Sequence, residues 1–115
     1  MHELSIALNL LETLEKEAIR RSPARITAIY LKIGPLSGVI PSALESAFEL
    51  ITEGTELQQC KIHIEETPVI IHCPTCLADR QVESVQQMSC SVCGTATADV
   101  AGGRELDFCS MEITE

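Results

Sequence analysis

Cys73-Pro74-Thr75-Cys76 and Cys90-Ser91-Val92-Cys93 constrain this chain more than any other feature: they are two C-x2-C pairs separated by thirteen residues. Each pair predicts a tight knuckle whose two sulfurs point the same way, and a short hairpin between the knuckles would bring four thiolates round one tetrahedral ion. Gly94 follows the second knuckle, where the backbone needs conformational freedom. A disulfide framework would require an oxidising compartment, yet the sequence opens with no basic segment leading into an apolar run and a small-residue cleavage site. A redox role needs one C-x-x-C, whereas two copies at ribbon spacing favour structural metal. Cys73, Cys76, Cys90 and Cys93 are therefore expected to hold a structural Zn(II) with no open coordination position.

The formal charge is −9, and four thiolates around one Zn(II) make it more negative still. Such a surface repels phosphate backbones, while ribbons that bind nucleic acid carry a basic face. Tyr30, Phe48 and Phe108 are the only aromatic residues, too few for a base-stacking platform. No apolar stretch reaches membrane-spanning length. Neither nucleic acid nor membrane is an expected partner. No nucleophile with a base, no paired carboxylates and no phosphate-binding loop suggests an enzyme.

Met1-His2-Glu3 offers a second kind of chelate, distinct from the cysteines. The α-amine, the His2 backbone nitrogen and the His2 ring nitrogen nearest the backbone can close fused rings round a square-planar ion. Nickel(II) and copper(II) favour that arrangement, and zinc does not. Apolar residues at Leu4, Ala7, Leu8, Leu11, Leu14 and Ala18 recur at helical spacing and predict a helix over 4–20, so the tripeptide sits at its start. Amides in a first helical turn have no intrahelical acceptor, so losing a proton there breaks no helix hydrogen bond. The helix dipole opposes a cation by only ~0.3–1 kcal/mol, and Glu3 acts against it.

Ser22-Pro23 stops that helix, and the alternating β-branched run over 25–33 predicts a strand. A second helix opens at Pro41 with a capping-box spacing between Ser42 and Glu45, buries Leu44, Ala47, Phe48 and Ile51, and closes at Gly54. A second strand is expected over 60–66, with Ile62 and Ile64 inward and Lys61, His63 and Glu65 outward. The cysteine segment 69–105 has few large apolar residues and cannot support itself without metal. Residues 106–113 are strand-like again and must bury their apolar face, which the cysteine segment cannot receive. The expectation is an α+β fold with two helices on one face of a small three-stranded sheet. Residues 1–68 and 106–115 would form that domain, with an inserted zinc ribbon over 69–105. A simple tail-to-tail arrangement is the alternative.

Together, Met1-His2-Glu3-Leu4-Ser5, the Lys32-Ile33-Gly34 strand end, the helix ending near Gly54 and the two C-x2-C pairs resemble the HypA/HybF nickel metallochaperones of hydrogenase maturation, over the whole chain. The resemblance implies that Met1, His2 and Glu3 bind nickel, with His2 essential, and that Cys73, Cys76, Cys90 and Cys93 bind zinc. It also implies a cytoplasmic protein working with a HypB-type GTPase and delivering Ni(II) to the hydrogenase large subunit precursor, with urease maturation proteins as further partners in some bacteria. Either a monomer or a homodimer fits. A zinc-ribbon adaptor module of transcription or another protein–protein complex is the alternative function, and a dithiol redox protein the third. Cys60 and Cys109 read as buried thiols within strands, His63 as a surface residue, and His72 as a neighbour of the first knuckle without a ligand role. Leu36, Val39 and Ile40 pack locally or face a partner.

Overall fold

A computed structural model describes residues 3–114. Helix α1 spans Glu3–Arg21 and stops where Ser22-Pro23 ends the helical pattern. It is followed by β1 (Arg25–Ile33), α2 (Pro41–Thr52) and β2 (Lys61–Glu66). Parallel neighbours need a crossover connection. Helix α2 supplies one, so β2 runs parallel to β1, from Ala28 opposite Lys61 to Ile33 opposite Glu66. The chain then builds a separate antiparallel sheet from β3 (Val69–Cys73), β4 (Ala78–Val82) and β5 (Val100–Gly102), in the order β4-β3-β5. Finally β6 (Leu106–Thr114) returns and pairs antiparallel with β1, from Arg25 opposite Thr114 to Ile33 opposite Leu106. The first sheet therefore has the order β2-β1-β6, with the last strand of the sequence beside the first.

The main core lies between this sheet and the two helices. Ile26, Ile29, Leu31 and Ile33 of β1 meet Ala7 and Leu14 of α1 and Leu44 and Phe48 of α2, with Val39, Leu57 and Cys60 closing the sides. A register shift between Ile26 and Ala28 lets two residues three apart, Ile26 and Ile29, both enter this core. Ile62 and Ile64 pack against it, while Lys61, His63 and Glu65 stay exposed. On the open face the His63 ring stacks on Tyr30 with centroids 4.9 Å apart, and the Tyr30 hydroxyl bonds the Glu112 carboxylate.

Several local expectations fail for reasons of packing. Helix α1 buries the line Glu3, Ala7 and Leu14, so Leu4 and Leu8, on its flank, are about half exposed, at 53% and 49%. The capping box does not form. Helix α2 begins at Pro41 with Ile40 as its N-cap and no side-chain cap bond from that residue, and Ser42 and Glu45 are exposed. The free N–H of Ile40 instead donates to Glu3 Oε2 at 3.0 Å, so a carboxylate 37 residues away does what Glu45 was expected to do for Ser42. Strand β6 pairs as expected but buries little. Met111 is half-buried, whereas Phe108 is 41% exposed, because the helices cover β1 and leave the β6 edge overhanging. Cys109 lies on that strand and is exposed, contrary to its reading as a buried thiol; Cys60 is buried, one residue before β2.

The two sheets meet at one tight joint. Gly34 N–H donates to the Glu105 carbonyl at 2.8 Å, Leu36 N–H to the Gly103 carbonyl at 2.7 Å, and Thr67 N–H to the Ile33 carbonyl at 3.0 Å. The Glu105 side chain adds a second layer, its Oε1 accepting from Thr67 Oγ1 at 2.7 Å and from Gly103 N–H at 2.8 Å. From the same loop, Leu36 packs on the small core of Val69, Ile71 and Val82, and Val39 enters the main core. The joint has no room for a side chain at position 34, where a Cβ would lie 2.1 Å from the Gly103 carbonyl oxygen. Gly34→Ala is therefore expected to destabilise the protein by about 1–3 kcal/mol through overpacking against backbone. Urea unfolding followed by circular dichroism measures this, and an unchanged midpoint would show that the joint yields.

Candidate metal centre

Cys73 is the last residue of β3, and the turn over 74–77 carries Cys76 back towards it before β4 begins. Leu77 closes that turn with φ 54°, a left-handed backbone. The second knuckle is pinned from both sides: Cys90 N–H donates to the Thr95 carbonyl and Gly94 N–H to the Cys90 carbonyl, each at 2.9 Å. Gly94 has φ 78°, the conformation the sequence position called for. Knuckle amides already point at sulfur, with Cys76 N–H on Cys73 Sγ and Val92 N–H on Cys90 Sγ, both at 3.4 Å. A ladder bridge between Ser89 and Ala96 closes the loop behind them.

All four cysteine sulfurs lie within 4.8 Å of one another, and the knuckles face each other across Cys73–Cys93 at 3.5 Å and Cys76–Cys90 at 3.9 Å. A tetrahedron of sulfurs about 2.3 Å from a Zn(II) has edges of about 3.8 Å. The donor set thus fits a four-thiolate ion in size as well as chemistry. Every cysteine is a free thiol, and the sulfur separations exceed the about 2.05 Å of a disulfide. Cys73 and Cys90 are buried, Cys76 half-buried and Cys93 exposed. Among the described residues this is the one group of three or more potential ligands gathered closely enough to hold an ion.

Without metal the thiols are far from equivalent. The Cys93 backbone N–H and then that of Val92 hold the Cys90 thiol down at about 6, with help from the Arg80 guanidinium and against burial, which raises it. Thr95 lowers Cys93 through its hydroxyl and backbone. Sharing a proton with Cys93 pushes Cys76 up to about 11. Arg80 is the residue that sequence reasoning missed. Its guanidinium is held in the charged form by the sulfurs of Cys90 and Cys76. A signal was present, because Arg80 is the only lysine or arginine between Cys73 and Cys93. His72 does not turn to the sulfurs: its Nδ1 lies 2.9 Å from Asp79 Oδ1 across the β3–β4 ladder.

Of the tripeptide expected to bind nickel, Met1 and His2 lie outside the described residues. Glu3 is buried at the start of α1 with one carboxylate oxygen on the Ile40 N–H.

A family model described as "Hydrogenase/urease nickel incorporation, metallochaperone, hypA" matches residues 1–113. The chain belongs to the HypA family. The hydrogenase maturation factor HypA of Roseiflexus sp. (strain RS-1) is 37% identical over 115 residues, spanning 100% of this chain and 94% of that relative. The HypA of Chloroflexus aggregans is 38% identical over 112 residues, with 97% and 98% covered. The solution structure of the Ni metallochaperone HypA from Helicobacter pylori superposes with a TM-score of 0.61 at 24% identity, over 98% of this chain and 97% of that one. Another HypA solution structure gives 0.70 at 23% identity, over 99% and 97%. Both share the α+β fold. The HypA family comprises hydrogenase maturation factors and metallochaperones, so this member is not an enzyme. Among the described residues no helix is long and apolar enough to cross a membrane.

Metal uptake by this centre is expected to release protons, since thiolates are the ligands. At neutral pH the thiol of Cys76, at about 11, must lose its proton, whereas that of Cys90, at about 6, has already lost it. Below pH 6 Cys90 must be deprotonated too, so the number of protons released should rise and affinity should fall more steeply. Calorimetric titration of metal-free protein with Zn(II), in buffers of different ionisation enthalpy at pH 5.5 and 7.5, counts those protons. An equal count at both pH values would contradict the assignment.

Proposed function

We propose that this protein carries Ni(II) at Met1, His2 and Glu3 and delivers it, together with a HypB-type GTPase, to the hydrogenase large subunit precursor in the cytoplasm. Urease maturation proteins are further candidate recipients. Cys73, Cys76, Cys90 and Cys93 hold a structural Zn(II). The observation that supports this reading most directly is the family match, which begins at residue 1 and describes nickel incorporation into hydrogenase and urease. The Met-His-Glu motif therefore falls inside the matched stretch.

The chemistry supports a division of labour. Four thiolates complete the coordination of one Zn(II) and leave no position from which an ion could be passed on. A nickel cargo needs donors a partner can replace one at a time. An α-amine, a deprotonated amide and an imidazole form such a set, favouring a flat ion over a tetrahedral one. Each of those nitrogens competes with a proton, so nickel affinity falls as pH falls. Residues 69–105 form the zinc-dependent part, inserted into the domain made by 1–68 and 106–115.

Two sets of variants test the reading. A short N-terminal extension converts the amine into an amide, and nickel affinity measured by calorimetry should then fall by orders of magnitude while zinc content stays at one per chain. His2→Ala should lose nickel without a change in thermal stability. Glu3→Ala should also cost about 1–3 kcal/mol of stability, because the Ile40 N–H loses a charged acceptor. Nickel bound equally well by the extended chain would sink the terminal chelate. The two-part organisation has its own readout: chelating zinc should broaden or shift backbone amide resonances of 69–105 and leave those of β1, β2 and β6 in place.

A further inference from the structure

On the reading that the four cysteines hold Zn(II), the site requires a cation that neither knuckle supplies. Four thiolates and one Zn(II) leave two negative charges at partly buried sulfurs, in a chain whose formal charge is already −9. Burying uncompensated charge is costly. Arg80 sits on β4 opposite Ile71, four residues beyond Cys76. Its Nε is shut off from solvent with no hydrogen-bond partner, a state that native proteins seldom leave unresolved. Among the described residues Arg80 enters no ion pair. The adjacent Asp79 carboxylate is engaged with His72 instead. Cross-strand pairing with Ile71 puts Arg80 on the face of the sheet that ends in Cys73 and the sulfur cluster, and the sulfurs of Cys76 and Cys90 hold its guanidinium in the charged form.

We infer that Arg80 is a positioning residue of the four-cysteine centre, its guanidinium donating N–H···S hydrogen bonds to the Cys76 and Cys90 thiolates and tying the two knuckles together. Arginine suits this task because its planar fork holds several donors in fixed directions, so one side chain serves two acceptors without losing its charge. Charge-assisted hydrogen bonds to a thiolate withdraw electron density from the sulfur. The two sulfurs that Arg80 touches are thereby made poorer nucleophiles, and the ion they hold is made harder to extract. The bonds inferred go to Cys76 and Cys90, so the effect belongs to two of the four ligands.

The test is pulsed alkylation of the zinc-loaded full chain with N-ethylmaleimide, followed cysteine by cysteine by mass spectrometry, in wild type, Arg80→Met and Arg80→Lys. The exposed Cys109 thiol serves as an internal reference for reagent and exposure. In Arg80→Met, initial rates at Cys76 and Cys90 should rise about tenfold, the loss of one charge-assisted hydrogen bond, with Cys73 and Cys109 unchanged. Zinc transfer to a competing chelator should shift by about 10–100-fold, the usual effect of removing a partner of a metal ligand. Arg80→Lys keeps the charge but replaces the fixed fork with a single ammonium nitrogen on a flexible stem, so its rates at both sulfurs should lie between those of wild type and Arg80→Met. Should Arg80→Met fail to fold, the lysine variant alone decides: wild-type rates at both sulfurs would overturn the inference. Unchanged rates in a zinc-loaded Arg80→Met, or equal acceleration at all four cysteines, would also overturn it. Wild-type protein that takes up no zinc would overturn the underlying metal reading, and this inference with it.

Discussion

The antiparallel pairing of β6 with β1 is the constraint on which the rest of the structure depends. Strand β1 is the central strand of its sheet and carries four of the buried core residues, so the last nine-residue strand must come back to it before the sheet is complete. Everything between Thr67 and Glu105 is thereby closed into a loop whose ends are fixed at Ile33 and Gly34. Closing a loop of that length adds little entropy cost beyond that of a shorter one, because the cost grows only with the logarithm of length. The cysteine-bearing sheet can therefore project from the first sheet at one joint without straining it, and the molecule is accordingly elongated, 55 × 26 × 16 Å.

That joint does more than hold two sheets together. Residues Gly34 to Ile40 run from it to the start of α2, and along the way they bond the returning strand, pack Leu36 on the small core, pack Val39 in the large one and present the Ile40 N–H to Glu3. One short segment thus links the cysteine sheet, the main core and the first turn of α1. Glu3 is rare among acidic residues in being buried, and the cost of burying a carboxylate is offset by its hydrogen bonds, of which the Ile40 N–H is one. The bond also satisfies the N–H of the helix α2 N-cap, whose isoleucine side chain offers no acceptor of its own.

What the sequence disclosed follows from how local each signal is. The four cysteines were legible because their spacing is a property of a few consecutive residues, and the structure brings all four sulfurs together. The return of β6 was legible by elimination, since its apolar residues had no other core to join. The Ser42–Glu45 capping box misled because Pro41 starts the helix two residues earlier than the motif requires, and a carboxylate from another element takes the capping role. No local pattern announces a bond between residues 3 and 40. Leu4, Leu8 and Cys109 misled in a second way: apolar periodicity says which residues share a face but not how far the covering layer reaches. The overhang of β6 beyond the helices is a tertiary fact. Arg80 was overlooked because its place on the cysteine-bearing face depends on the β3–β4 pairing, which sets it opposite Ile71, although its isolation as the one cation between Cys73 and Cys93 was in plain view.

The proposed function gives one chain two metal chemistries, and the cysteine centre suits only one of them. A closed four-thiolate site binds tightly because every position is filled by the protein, and that same closure makes exchange slow. An ion destined for another protein is poorly served by it. On that reading the partly buried centre organises β3, β4 and the knuckles, while the cargo falls to the nitrogen donors proposed at Met1 and His2, which proton competition can loosen. The acidic surface fits this arrangement: at −9 it draws divalent cations from solution over distances near the Debye length of ~8–10 Å, without selecting among them. Under the proposed function, ligand geometry then separates the two ions, flat nitrogen donors against tetrahedral sulfur.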